Sequence, residues 1–185
     1  MVSKGETAKF VDDWSPDNRL VLFRTLMGRT VLSAPVAGDG DISTLPADGE
    51  SIDSVRLSPD GHRVAYQARE SQRLEVYVAD FPTFARRTRV SANGGVIPRW
   101  RGDGRELYYM DLNRTVMAVP VEDIVQNRFG VPVALFPAPV PAGLLTSGID
   151  LYDVATDGKR FFVIAEETGR PRAVATINVI VNWLK

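Results

Sequence analysis

The sequence predicts an all-β fold, a β-propeller built from four-stranded antiparallel blades, with about four blades in the chain. The first observation behind this prediction is a turn that recurs around the aspartates Asp17, Asp60, Asp103 and Asp157, at intervals of 43, 43 and 54 residues. A period of about 40 to 45 residues is typical of propeller blades. The turn therefore divides the chain into four related units.

The second observation is that apolar residues recur at fixed distances from this aspartate. They stand three residues before it and four, five and six residues after it. Alternation along a strand would place the slot at plus five on the opposite face from its neighbours. Both faces of this strand are therefore predicted to be buried, as in a sheet stacked between two others. The residues are Trp14, Val21, Leu22 and Phe23; Leu57, Val64, Ala65 and Tyr66; Trp100, Leu107, Tyr108 and Tyr109; and Val154, Phe161, Phe162 and Val163.

Turn geometry explains the recurring aspartate without any chemistry. An Asp side chain accepts a hydrogen bond from the backbone two residues on, and the next residue needs a positive φ. Glycine fills that next position at Gly61, Gly104 and Gly158, and Asn18 fills it in the first unit. The motif predicts a hairpin between the first and second strands of each blade, with a structural role rather than a metal-binding or catalytic one.

The remaining pattern of each unit is consistent with four strands. In the second unit these are predicted at residues 53–57, 63–68, 74–79 and 87–91. The third strands of units one and three, at 30–36 and 115–121, are close copies of each other. The third interval is 11 residues longer than the others, and the stretch after Val121 is rich in Pro and Gly. An inserted loop is therefore predicted there.

These segments carry a family resemblance. Residues 57–66 (LSPDGHRVAY) and 74–78 (LEVYV) resemble the repeat of TolB-like, WD40-like bacterial β-propellers. Residues 98–109, 152–162 and 180–183 are similar to the C-terminal blades of such propellers. The resemblance covers nearly the whole chain and implies a propeller of the kind attached to some bacterial serine/threonine kinases and predicted sensors. It implies no particular activity, because propellers host unrelated functions.

Composition narrows the class of protein. The chain is 44% hydrophobic and 24% charged with a net charge of −1, which argues against disorder and against a dominant electrostatic partner. It has no cysteine, so disulfides and thiolate chemistry are excluded. The apolar end at 173–184 is shorter than the roughly 20 residues of a membrane helix and alternates like a strand. We expect a soluble protein of the bacterial cytoplasm or periplasm, with no membrane insertion.

The units suggest a domain organisation that lacks one strand. Residues 1–7 are predicted to be a leader or tag-like segment, followed by blades at about 8–50, 51–95, 96–148 and 149–185. The fourth blade ends after its third strand, at 173–183, and a bare sheet edge invites pairing with another chain. A closed four-bladed ring, an excised fragment and a half-ring completed by a second copy are the alternatives. The unsealed edge favours a homodimer that completes an eight-bladed ring.

One slot offers candidate binding residues. The position four residues before each turn aspartate is charged in every unit, and it lies on a predicted innermost strand near the ring axis: Asp13, Arg56, Arg99 and Asp153. Such a ring of charge suits a small polar ligand or a peptide at the channel mouth. Ion pairing between blades is the structural alternative and is favoured, because buried charges are normally paired.

Other candidates are weaker. Residues 39–50 place acidic residues at positions 1, 3 and 12 of a calcium loop but lack its glycine and its flanking helices, so a strand between turns is favoured. The single histidine, His62, follows a turn, where a solvated side chain is expected. The basic run at 86–89 lies on a predicted outer strand, where charge prevents sheet association, so no nucleic-acid partner is expected. No catalytic residue, metal or cofactor is predicted.

The leading functional prediction is a non-catalytic interaction or scaffold module that binds a protein, peptide or small ligand at the channel mouth or loops. The alternative is a sensory or substrate-gating propeller of a larger bacterial enzyme, either a kinase or a prolyl-oligopeptidase-type hydrolase. An isolated propeller fragment with no independent function is the third interpretation.

Overall fold

Four antiparallel sheets follow one another along the chain in a computed structural model that describes residues 9–25, 30–38, 40–46 and 52–165 and the backbone of 177–181. We call these sheets blades one to four. Their strands are β1 (Lys9–Trp14), β2 (Leu20–Thr25), β3 (Val31–Pro35) and β4 (Ser43–Leu45); β5 (Ile52–Leu57), β6 (Arg63–Glu70), β7 (Arg73–Asp80) and β8 (Thr88–Arg89); β9 (Val96–Trp100), β10 (Glu106–Met110), β11 (Thr115–Asp123), β12 (Arg128–Phe129) and β13 (Val133–Pro137); and β14 (Tyr152–Val154), β15 (Arg160–Ile164) and β16 (Ile177–Val181).

Neighbours along the chain are neighbours in each sheet, with the exception of β13, which pairs with β11 and not with β12, so every blade is built on an antiparallel meander. This arrangement confirms the predicted all-β fold class. The predicted leader at 1–7 lies outside the described residues, and the blade boundaries stay predictions. No helix in the described part of the chain is long and apolar enough to cross a membrane.

The four strands expected in the second unit are all present: the first three are one or two residues longer than predicted, and the fourth is shorter. The outer strand β8 covers two residues instead of five. The N–H groups of Val90 and Ser91 both point to the carbonyl of Val76, at 2.8 and 3.4 Å, and this sharing ends the regular ladder.

The prediction of a loop after Val121 was wrong in part. The strand β11 continues to Asp123, and both β12 and β13 pair with it. The reason lies in tertiary packing, because the ring of Phe136 on β13 contacts that of Phe161 in blade four with centroids 5.2 Å apart. The proline and glycine residues of this stretch separate short strands and a 3-10 turn at Ala142–Leu144, so they interrupt strands without excluding them.

The recurring turn has the predicted geometry in all four blades. Each turn closes with a backbone hydrogen bond of 2.8 or 2.9 Å between its first and fourth residues, as from Gly61 N–H to Ser58 O. Each aspartate accepts a bond from the N–H two residues on, at 2.9 to 3.1 Å. The φ angles at Asn18, Gly61, Gly104 and Gly158 lie between 58° and 72°. The aspartates therefore hold hairpins.

The same kind of contact joins each blade to the next. The slots at minus three, plus four and plus six form what we call the leading face of a blade. This face packs on the trailing face of the preceding blade, which carries the slot at plus five and the adjoining third strand. The contacting sets are Leu57, Val64 and Tyr66 on Leu22 and Val31; Trp100, Leu107 and Tyr109 on Ala65, Val76 and Val78; and Val154, Phe161 and Val163 on Tyr108, Met110 and Val116.

Burial on both faces holds where a neighbouring blade exists and is incomplete at the two ends of the described array, although Phe23 on the leading face of blade one is buried. The slots at plus five are fully buried at Leu22, Ala65 and Tyr108. Phe162 in blade four is 43% exposed, so the prediction that this residue is buried was wrong. Trp14, on the leading face of blade one, is 49% exposed. The cause is the same at both ends, because no described blade covers either face.

We expect Gly61→Ala to lower the free energy of unfolding by about 1 to 2 kcal/mol, the cost of a left-handed conformation for an L-residue. A Cβ at this position meets only Pro16, at 3.9 Å, so the loss isolates backbone strain from steric clash. Urea denaturation measures it. Gly143→Ala is the matched control, since its Cβ meets nothing within 4 Å. Equal effects of the two substitutions would contradict the role of the turn.

Candidate functional site

A β-bulge precedes the charged slot in the first strand of blades one, two and three. The register shifts between Val11 and Asp13 on β1, between Asp53 and Arg56 on β5, and opposite Tyr109 on β9. Bulges of this kind turn a side chain out of the regular alternation and are frequent beside functional sites. In each of these three blades the bulge comes directly before the residue that was predicted to face the ring axis.

The four predicted residues lie together. Asp13, Arg56, Arg99 and Asp153 line one cleft of about 330 Å³, between the first strands of the four blades. The remaining lining residues are Leu57, Pro59, Trp100 and Asp150. The structure thus brings the repeated slot into one place, and its role in binding stays a prediction.

Asp150 is the central residue of the cleft, and sequence reasoning missed it. Its carboxylate accepts hydrogen bonds from Arg56 Nη2 at 2.5 Å and contacts Arg99 Nη2 at 2.6 Å. Burial alone would raise the pKa of Asp150, but Arg99 and Arg56 outweigh it and hold the pKa below its ordinary value. One signal was available, because Asp150 and Asp53 both stand seven residues before a turn aspartate.

Asp13 serves backbone groups instead of an arginine. Its Oδ2 accepts the N–H of Leu57 at 2.6 Å, and its Oδ1 accepts the N–H of Trp14 at 2.9 Å. Burial raises the pKa of Asp13, and these two hydrogen bonds oppose the rise. Asp13 therefore ties the first strand of blade one to that of blade two. A bond of 3.2 Å from Trp100 Nε1 to Arg56 O ties blade three to blade two in a similar way.

A second ion network, also missed from the sequence, adjoins the cleft. Arg24 on β2 donates from Nε to both carboxylate oxygens of Asp12 at 3.0 Å and from Nη1 to Asp53 at 2.5 Å. Its Nη2 reaches the carbonyl of Gly148 at 3.2 Å. Arg56 joins the two networks, because its Nη1 also donates to the backbone carbonyl of Asp12. Acidic and basic groups thus alternate across the inner strands.

The charges of the cleft differ in exposure. The side chain of Arg99 is 8% exposed and contacts Asp153 at 3.3 Å, whereas the side chains of Asp150 and Asp153 are 47% and 70% exposed. The guanidinium groups are thus more buried than the carboxylates. A molecule that enters the cleft therefore meets negative charge first.

The weaker candidates have local partners. His62 donates its N–H to Asp60, whose carboxylate also accepts the Ser58 hydroxyl at 2.5 Å, so these residues serve the turn. Arg86 pairs with Asp80 at 2.7 Å, and the Arg87 guanidinium lies 3.7 Å from the Tyr77 ring centroid. Within the segment considered for calcium, residues 39 and 47–50 lie outside the described residues, and β4 occupies the middle.

Comparison with solved structures identifies the fold. TolB from Acinetobacter baumannii superposes with a TM-score of 0.71 at 14% identity, over 95% of this chain and 44% of TolB. A puromycin-hydrolyzing peptidase of Mycobacterium tuberculosis gives 0.61 at 21% identity, over 85% of this chain and 28% of the peptidase. The β-propeller domain of Cps50 (Swd1) from Myceliophteria thermophila gives 0.57 at 12% identity, over 87% of this chain and 50% of that domain.

These likenesses establish architecture alone. The chain spans less than half of TolB and less than a third of the peptidase. No protein-family model matches it, and no curated protein matches it significantly. The fold is that of TolB-like and WD40-like β-propeller blades, which confirms the predicted propeller of about four blades.

We expect Asp150→Asn to lower the free energy of unfolding at pH 7 by about 1 to 2 kcal/mol, since two arginines lose a charged partner that is half-exposed. The pKa of Asp150 is depressed in the folded protein. Its stabilisation is therefore present above the unfolded pKa of about 4 and is lost as the pH falls through the folded value. Urea denaturation at pH 7 and about pH 3 measures the difference from the wild type, which should shrink in acid.

Asp153→Asn is the control for this prediction. Asp153 has a single arginine contact and is mostly exposed, so we expect a change below about 0.5 kcal/mol. An equal loss in both variants, or a difference that persists in acid, would show that Asp150 does not act through its ionised carboxylate.

Proposed function

We propose that the chain is a non-catalytic interaction module that binds a protein, peptide or small ligand in the cleft, through a basic group of that ligand. The single observation that carries this proposal is the difference in exposure of the charges, since the side chains of Asp150 and Asp153 are far more exposed than those of Arg56 and Arg99. A lysine, an arginine or an amino terminus complements such a surface. Charges of this kind contribute more to the specificity of binding than to its affinity.

The arginines have a supporting role in this proposal. Arg56 and Arg99 contact Asp150 from two sides, so its carboxylate keeps a defined position even when no ligand is bound. A preorganised group loses less entropy on binding than a mobile one. The ion pairs between blades and the binding surface are thus two uses of the same side chains.

Self-association belongs to the same proposal. The leading face of blade one and the trailing face of blade four each expose apolar side chains, as Trp14 and Phe162 show. Uncovered apolar surface of this kind marks association sites in soluble proteins. A homodimer that completes the ring covers both faces.

The second candidate is a sensory or substrate-gating propeller within a larger bacterial enzyme, a kinase or a prolyl-oligopeptidase-type hydrolase. The observation that favours it is the likeness to a peptidase of which this chain spans only 28%. The gene sequence on both sides of this segment discriminates, because a kinase or hydrolase domain there would favour this candidate. A fragment with no independent function would bind no ligand in the cleft.

We expect a fluorescein-labelled hexalysine peptide to bind the wild type at low salt and a labelled hexaglutamate peptide to bind much more weakly. Asp153→Asn should weaken hexalysine binding about two- to fivefold, the effect of one exposed ion pair, and added salt should weaken it further. Fluorescence anisotropy measures both. Glu122→Gln removes an exposed acid far from the cleft and is the control. Equal losses in the two variants, or tighter binding of hexaglutamate, would contradict the proposal.

A further inference from the structure

The junctions between consecutive blades obey one rule. In the three junctions of the described chain, a leading face packs on the trailing face of the blade before it. The same two faces meet although the residues differ, since Tyr66, Tyr109 and Val163 occupy the same slot in successive leading faces. The fit therefore depends on the pleat and twist that the repeats share, and on apolar side chains at the same slots.

The two ends of the array carry one unused face of each kind. The leading face of blade one presents Trp14 and Val21 in an apolar hollow of about 230 Å³, which the buried Phe23 also lines and which Val11 and Val36 flank. The trailing face of blade four presents Phe162 and Ile164 beside a groove of about 310 Å³. Each unused face has the slots of a face that is buried elsewhere in the same chain.

We propose that the occupant of each face is a second copy of this chain, joined head to tail: the leading face of blade one in one copy packs on the trailing face of blade four in the other. This inference rests on the self-association proposed above and specifies its surfaces. A twofold axis along the ring centre forms this junction twice, so that both faces of both copies are covered. Head-to-tail contacts close into a ring when the rotation returns to its start, and eight blades lie within the known range.

The internal junctions decide against the simplest alternative, in which two leading faces pair with each other. No leading face contacts another leading face among the described blades. A symmetric pairing of that kind would also leave Phe162 and Ile164 uncovered, at 43% and 38% exposure. Of these two pairings between copies, the head-to-tail arrangement gives both faces the kind of partner that the repeat provides.

The new junction has one unfavourable feature with a measurable consequence. The charged slots of adjacent blades are neighbours around the axis, so Asp153 of one copy would lie near Asp13 of the other. Like charges repel, and salt screens the repulsion. Association is therefore expected to tighten with added salt, opposite to the salt dependence of hexalysine binding.

A complementation experiment tests the junction. Trp14→Glu and Phe162→Lys each place a charge on one exposed face, so each variant is expected to fold, which circular dichroism checks. Light scattering should give the wild type a mass of twice 20.4 kDa. Each variant alone should be monomeric, with a dissociation constant raised about 100-fold or more, because both junctions lose an anchor. The control Val131→Glu, at a position 80% exposed elsewhere, should leave the dimer intact.

Mixing the two variants gives the decisive result. In the mixed dimer one junction is wild type, and the other opposes the introduced carboxylate to the introduced ammonium. The mixture should therefore recover the dimer mass. Dimers unaffected by either substitution, loss with Trp14→Glu alone, no recovery on mixing, or masses above two copies would each overturn the junction. A monomeric wild type that still binds hexalysine would overturn self-association and leave the cleft proposal standing.

Discussion

Packing of a leading face on a trailing face is the interaction on which the rest of the structure depends. It buries both sides of the second strand of a blade, as in β6, where Val64 and Tyr66 face blade one and Ala65 faces blade three. Apolar burial contributes about 25 cal/mol per Å² removed from water, so a sheet covered on both faces gains this term twice. A blade alone has paired strands but no covered face. The stability of each blade is therefore a property of its neighbours, as in other repeat proteins.

The same packing determines what the inner strands present. Stacked blades bring their first strands side by side, and the bulges on β1, β5 and β9 turn one charged residue per blade away from the regular alternation. These charges are partly removed from water and lie close together, so they pair with one another. Arg56 and Arg99 share Asp150, and Arg24 shares Asp12 and Asp53. The same side chains thus stabilise the packing of the first strands and place carboxylates at the surface of the cleft, because the arginines are buried more deeply than the acids with which they pair.

Repetition also explains why the two ends of the array differ from its interior. Phe162 and Tyr108 occupy the same slot, yet Tyr108 is buried against Phe161 with ring centroids 5.2 Å apart and Phe162 faces solvent. The side chains are alike and the surroundings are not. An apolar residue that is buried between two blades inside the array is exposed at its end, because the repeat determines the residue type and the neighbouring blade determines its burial.

The sequence by itself determined the turn and the strand pattern, since these depend on contacts within a few residues: Asp60 accepts from the N–H two positions on, and side chains alternate along β6. It also determined that Asp13, Arg56, Arg99 and Asp153 share a slot. Only the tertiary structure decided which charges pair, because Arg24 and Gly148 are 124 residues apart and Arg56 and Asp150 are 94 apart, with no local signal between them. The tertiary structure also decided two other features. The strand β13 forms by pairing with β11, and Phe162 is exposed because no described blade covers it.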